Sequence, residues 1–432
     1  MSPATKKIEL HHVTRVEGHG NIYVDIENGA VKRCQWAVVE APRFFEAMAI
    51  GRKWDELNFL TSRICGICSI GHQLASLKAT ESAMAVKPSE QTVLLRKLLL
   101  LGENLQSHIL HVGYLVLPDL AGVGSVIPLT KSNPAAVGVV VRLHRLANEL
   151  CDIVGGRTTH PVRAVVNGFT MLPRPRELVD LRKRLEASID DLQALVNVLK
   201  SVAGNLPAFE RDTEYVALVS NSEYALYDGL VGSTDAKPVA VEDYLKVTNE
   251  YIVPQSTAKY AKYHRASYAV GALARYKLNH AKLSDPARKV ASELGLTPDA
   301  RSPFMNNIAQ VVETVDSVVE AMNIIDLLLM GGLKEEPSAL KVKAGRGVAA
   351  VEVPRGILFH DYTYDENGIC VMANCIIPTN QNHANIQLDM EKLVDEIKEE
   401  PREAIELKLE MLVRSYDPCI SCSTHMVKVR WL

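Results

Sequence analysis

Two Cys-x-x-Cys pairs stand near opposite ends of this chain: Cys65 and Cys68 in SRICGICSIGH, and Cys419 and Cys422 in DPCISCSTH. Within such a pair both sulfurs can turn toward one ion, and thiolates select soft or borderline metals such as zinc, iron and nickel. If the pairs share a site, the last residues must fold back onto residue 65. Structural zinc pairs, the commonest four-cysteine site, usually lie within about 20 residues of each other because they staple a small fold. Here nearly the whole chain intervenes. On spacing alone a structural zinc and an independent redox pair at each end stay open.

A large core is available without a staple. The chain has 432 residues, 47% of them hydrophobic, and at that length about three quarters of the unfolded surface is normally buried. No low-complexity or Pro/Ser-rich linker divides it, so a single domain over 1–432 is expected. Within it, 1–60 reads as β-rich, 61–345 as a helical body with the first pair, and 346–432 as a mixed segment with the second. Lys+Arg of 48 against Asp+Glu of 51 leaves a net charge of −3, and no basic run suits a nucleic-acid backbone. No apolar run reaches the roughly 18 residues of a membrane span. MSPATKKIEL lacks the apolar core of a signal peptide, so a cytoplasmic chain is expected. Eight cysteines are too few for a disulfide scaffold of this size.

Residues 9 to 40 alternate apolar and polar side chains, with ENGA as a hairpin turn. From about residue 91 the pattern becomes helical in QTVLLRKLLLLGENLQSHILHVGYLVL, PAAVGVVVRLHRLANELCDIV, RELVDLRKRLEASIDDLQALVNVLKSV and NIAQVVETVDSVVEAMNIIDLLLM. Several of these are apolar nearly all round, which predicts a buried bundle. Strands return after KAGRGVAAVEVPRGILFHDYTYDENGICVMANCIIP, and one charged helix through EKLVDEIKEEPREAIELKLEMLVRSY stops at Asp417-Pro418. The expected class is mainly α with small β parts: a long buried helix bundle flanked by an N-terminal antiparallel sheet and a C-terminal mixed segment.

RICGIC with His72, together with DPCISCSTH, resembles the paired signature of the large, or alpha, subunit of nickel-iron hydrogenases. The likeness runs the length of the chain through RVEGHG, PRFFEAMAIGR, LQSHILH, GGRTTHP, SYAVGALAR, VPRGIL and PTNQN, in that order. It is closest to the cytosolic sulfhydrogenase, NAD(P)-linked or methyl-viologen-reducing type. A related complex I subunit lacks these cysteines, whereas all four are present here.

The resemblance implies nickel on Cys65, Cys68, Cys419 and Cys422, with Cys68 and Cys422 bridging to an iron that carries carbon monoxide and cyanide. Heterolytic cleavage of dihydrogen needs a Lewis acid and a nearby base; Cys419 is the implied first proton acceptor and Glu17, in RVEGHG, its relay. Arg355, Pro354 and Thr379 would frame the diatomic ligands, and His72 would donate to a cysteine sulfur. Glu46 in PRFFE, His425 and a backbone carbonyl such as that of Cys375 resemble the ligands of a magnesium or iron ion, a sparse set for magnesium. Ser107 departs from members that carry an aspartate there. Cys34, Cys151 and Cys370 read as core cysteines, as does the Cys375 thiol.

No further cysteine cluster is present to hold an iron-sulfur relay, nor a GxGxxG or Walker loop for a nucleotide. An iron-sulfur small subunit is therefore implied, with flavin/iron-sulfur diaphorase-type subunits beyond it. By the same resemblance, MVKVRWL is a tail that a maturation endopeptidase removes, with Met426 the first residue lost. The competing reading is a zinc-stapled, non-catalytic subunit of a redox complex related to the quinone-site subunit of complex I.

Overall fold

The computed structural model describes residues 6–336 and 340–424. At the N-terminus Lys6–Leu10, Gly20–Glu27 and Ala30–Val38 form an antiparallel sheet in sequence order. Its second turn is the predicted one: Asn28 and Gly29 both have positive φ, 53° and 74°, as a tight hairpin of this twist requires.

The first cysteine pair leads into the helix Ser69–Met84, which lies against the strand Gly345–Val353. That strand opens a meander with Gly356–Tyr364 and Cys370–Ile376. The helix Glu90–Leu110 begins at Ser89, whose hydroxyl accepts from the Thr92 amide at 3.0 Å and so satisfies one of the free N–H groups of the first turn. It packs between Pro134–Gly155 and the 27-residue helix Met305–Gly331, a rod about 40 Å long. These are the bundle helices that the periodicity predicts. Leu110 runs on into a wider, π-type turn at His111–Val116.

Three readings change. The stretch 175–202 is two helices, Pro175–Ala187 and Ile189–Val202, that break at Ser188, not one. The charged C-terminal helix is also two: Pro378–Ile397, which starts earlier at PTNQN, and Arg402–Ser415. Pro401 separates them because its ring cannot continue a helix from the preceding turn. The body expected to be helical also contains strands, with Glu214–Val219 paired antiparallel to Leu230–Ser233 and parallel to Tyr268–Ala269. Short β segments such as EYVALV, buried on both faces, carry no alternation to distinguish them from helix.

One apolar cluster runs from Ile8 to Cys422 and includes all four paired cysteines; a smaller one lies between the second and third sheets. Among the described residues no helix is long and apolar enough to cross a membrane.

Candidate metal centre

Cys65, Cys68, Cys419 and Cys422 are all buried and their four sulfurs lie within 4.8 Å of one another. The pairs interleave, with Cys65 Sγ 3.5 Å from Cys419 Sγ and Cys68 Sγ 3.9 Å from Cys422 Sγ. An ion about 2.3 Å from each sulfur leaves edges near ~3.8 Å in a tetrahedron, and opposite sulfurs at most ~4.6 Å apart. The observed spacing therefore fits a single thiolate-bound ion without large movement.

Local structure holds each pair. Cys65 Sγ accepts from the Ile67 and Cys68 amides at 3.2 and 3.1 Å. Cys68 stands just before the helix Ser69–Met84, and Glu103 caps that helix from outside. Its carboxylate accepts from the Ile70 amide at 2.7 Å and the Gly71 amide at 3.0 Å. His160 completes the brace: its amide donates to Ser69 Oγ at 2.8 Å and its Nδ1 bonds the Ser62 carbonyl at 2.9 Å. On the other side Cys419 donates its amide to Thr379 Oγ1 at 3.1 Å. Ile420 donates to the Glu17 carbonyl at 2.9 Å.

Glu17 also meets the centre with its side chain. The Cys419 thiol donates to Glu17 Oε2 at 3.1 Å, and the Ser421 amide donates to the same oxygen at 3.0 Å. Glu17 is half-buried. Burial pushes the Cys419 thiol well above its usual range. Burial acts upward on Cys65 too, but hydrogen bonds from Cys419, Cys422 and Cys68 outweigh it and take that thiol well below.

Arg355 is buried and tied to the second pair. Its Nε donates to the Asp417 carbonyl at 2.6 Å, Nη2 to Asp417 Oδ1 at 2.7 Å and Nη1 to Ser107 Oγ at 3.3 Å. Burial opposes its charge, yet Asp417 and the thiolates hold the guanidinium protonated. Pro354 is fixed through its carbonyl, which accepts from Arg275 Nη2 at 3.0 Å. Arg275 in turn pairs with Glu313 and Glu352, all three fully buried. His72 is buried and neutral, its pKa lowered to about 4 by burial. Its Nδ1 is bonded to His360 Nε2 at 3.1 Å, and its Nε2 has no protein partner among the described residues.

Glu46 and Cys375 meet, the Cys375 amide donating to Glu46 Oε1 at 3.0 Å. His425 and Met426 lie outside the described residues. Cys151, Cys370 and the Cys375 thiol are buried and Cys34 is half-buried, as core cysteines should be.

Several residues of the site carry little or no signal in the sequence. Asp417 anchors Arg355, and its other oxygen accepts from Gln310 Nε2 at 3.1 Å. His111, first residue of the π-type turn, bonds Gln310 Oε1 at 2.6 Å and the Arg414 carbonyl at 2.8 Å. Glu103 has a signal, a lone carboxylate inside LLLLGENLQ; Asp417 looks only like a helix stop.

Four buried thiols gathered from both ends of the chain, with a carboxylate on one of them, form a site that can hold a thiolate-bound metal ion beside a base. The nickel-dependent hydrogenase family model matches residues 43–137 and 210–425, and a HoxL-like model matches 7–41. The chain is 31% identical over 428 residues to the alpha chain of sulfhydrogenase 1 from Pyrococcus furiosus, covering 98% of both. It is 30% identical over 458 residues to an F420-non-reducing hydrogenase subunit from Methanothermobacter marburgensis, covering 98% of this chain and 95% of that one. Its fold matches an NAD+-reducing NiFe-hydrogenase, solved in the H2-reduced state, with a TM-score of 0.88 and 26% identity, covering 98% of this chain and all of that one. The chain belongs to the nickel-dependent hydrogenases, as a large subunit. The match does not favour the zinc-stapled scaffold.

Proposed function

We propose that this chain is the catalytic subunit of a nickel-iron hydrogenase that converts dihydrogen reversibly into protons and electrons. The observation that carries the mechanism is the contact between Cys419 and Glu17 at the edge of the four-sulfur cluster. Cys65, Cys68, Cys419 and Cys422 would hold nickel, and Cys68 and Cys422 would also serve an iron bearing carbon monoxide and cyanide. Bound there, the metals supply a Lewis acid and a redox couple that water cannot.

Everything else is done by side chains. Cys419 Sγ receives the proton, as the thiolate that stands beside a carboxylate. Glu17 Oε2, 3.1 Å away, takes it next and carries it toward solvent; the Ser421 amide holds that oxygen in line. Arg355, kept charged by Asp417, sets a positive potential beside the thiolates, which suits ligands with negative charge such as cyanide. Pro354 and Thr379 complete that wall. His72, its Nδ1 held by His360, offers Nε2 to a cysteine sulfur.

Glu46, the Cys375 carbonyl and His425 would hold a magnesium or iron ion, a reading supported by the nearness of Glu46 to Cys375, whose amide donates to it. Electrons pass to an iron-sulfur small subunit, then through diaphorase-type flavin/iron-sulfur subunits to NAD(P), ferredoxin or a similar acceptor. The complex is cytoplasmic, and an endopeptidase removes the tail from Met426. Metal analysis with infrared spectroscopy of the purified complex tests the centre. One nickel per chain, with carbon monoxide and cyanide bands and dihydrogen-dependent dye reduction, is expected; zinc with no nickel overturns the proposal.

A further inference from the structure

The second cysteine pair lies on a segment that ends the described chain, so its sulfurs are only as well placed as the contacts that dock it. The first pair is part of the body: Glu103, His160 and the helix Ser69–Met84 hold it. Residues 417–424 contain only a single helical turn, Ile420–Ser423.

Arg43 joins the two halves directly. One nitrogen, Nη2, donates to the Ile64 carbonyl at 2.7 Å and also, in a very short contact, to the Ser421 carbonyl. Ile64 precedes Cys65 and Ser421 precedes Cys422, so both protons of one NH2 group tie together the residues leading into one cysteine of each pair. The Arg43 amide adds a bond to the Thr424 carbonyl at 3.0 Å. A guanidinium suits this task because it stays charged and its planar donors are fixed in direction.

The opposite side of the segment has its own anchor. Trp36 Nε1, a donor only, gives its proton to His383 Nδ1 at 3.0 Å. That fixes the His383 tautomer: Nε2 carries the hydrogen and donates to Ser423 Oγ at 3.0 Å, and Ser423 donates to the Ile420 carbonyl at 2.7 Å. Trp36, His383 and Ser423 are fully buried. Gly18 permits the close approach, since a Cβ there would fall 2.8 Å from Ile420 Cβ.

We infer that Arg43 is the latch that docks the C-terminal cysteine segment onto the first pair, with the Trp36–His383–Ser423 chain as its counter-anchor. Arg43 is a positioning residue: it sets where Cys419 and Cys422 stand, whatever ion they bind. Local opening of 417–424 exposes those two thiols without unfolding the body, and each charge-assisted bond removed favours the opening by roughly tenfold.

The test reads the thiols and not activity, so it can fail while the proposed function stands. The full-length chain, stripped of metal, is alkylated with iodoacetamide under native conditions and each cysteine is followed by mass spectrometry. Arg43→Met is expected to speed modification of Cys419 and Cys422 about tenfold or more and to leave Cys151, in the helical core, unchanged. Arg43→Lys, which keeps a cationic donor but not the planar fork, should give a rate between those of wild type and Arg43→Met. Ser423→Ala should speed the same two cysteines to a smaller extent. Wild-type rates in both Arg43→Met and Ser423→Ala, an equal acceleration at Cys151, or a Lys variant as reactive as the Met variant overturns the proposal.

Discussion

Glu17→Gln separates proton transfer from everything else the site does. In the native chain one oxygen, Oε2, takes both the Cys419 thiol at 3.1 Å and the Ser421 amide at 3.0 Å. Glutamine is isosteric, and its carbonyl oxygen can stand in that place and accept both bonds. The backbone bond from Ile420 to the Glu17 carbonyl does not involve the side chain at all. The structural loss is therefore that of one charge-assisted bond turned neutral, within about 1 kcal/mol. The chemical loss is larger, because an amide does not take up a proton from a thiol. Positioned acid-base groups contribute about 10²–10⁴-fold, or roughly 3–5 kcal/mol of barrier. The assay is dihydrogen–proton isotope exchange, run beside nickel and iron analysis. The variant should keep both metals and lose at least about a hundredfold in exchange. A variant with full metal and wild-type exchange refutes the route through Glu17.

Burial raises the carboxyl of Glu103 from its ordinary 4.5 to about 8. Between those values the folded chain holds a proton that the unfolded chain releases. This group's stabilisation is thus complete below pH 4.5 and is lost as pH rises through 8, at up to about 1.4 kcal/mol per pH unit. Glu103→Gln should flatten the stability-pH curve of the metal-free chain over that window and raise its urea midpoint at pH 8; an unchanged slope refutes the assignment. Arg275→Met strands the buried Glu313 and Glu352 carboxylates and should cost about 3–5 kcal/mol in denaturant melts, whereas a loss below ~1 kcal/mol would show the network to be dispensable. Cys422→Ser removes one of four converging sulfurs and should abolish nickel retention in metal analysis while circular dichroism stays unchanged.

The cysteines were legible because their chemistry is local, and Glu17 and Arg355 only through the family resemblance of their motifs. The Cys-x-x-Cys spacing marks metal ligands wherever the chain goes, and RVEGHG and VPRGIL bring Glu17 and Arg355 to the centre with the cysteines. Three-dimensional partners were not legible. Ser107, which departs from the aspartate-bearing members, reaches Arg355 with its hydroxyl at 3.3 Å, but the carboxylate that holds this arginine is Asp417. Arg43 stands in the PRFFE block, with nothing in its neighbours to say that it bonds carbonyls at both cysteine pairs.

The sequence by itself determined which residue types and spacings can bind metal, and which faces of the long helices are buried, because residue type and periodicity decide these within a few turns of chain. Tertiary structure alone decided that Cys65 lies by Cys419 and Cys68 by Cys422, that Asp417 keeps Arg355 charged, and that burial pushes the Glu103 carboxyl up. Those depend on distances between segments remote in sequence and on the water excluded from between them, and removal of water sets both the strength of a charge pair and the pKa of a buried acid.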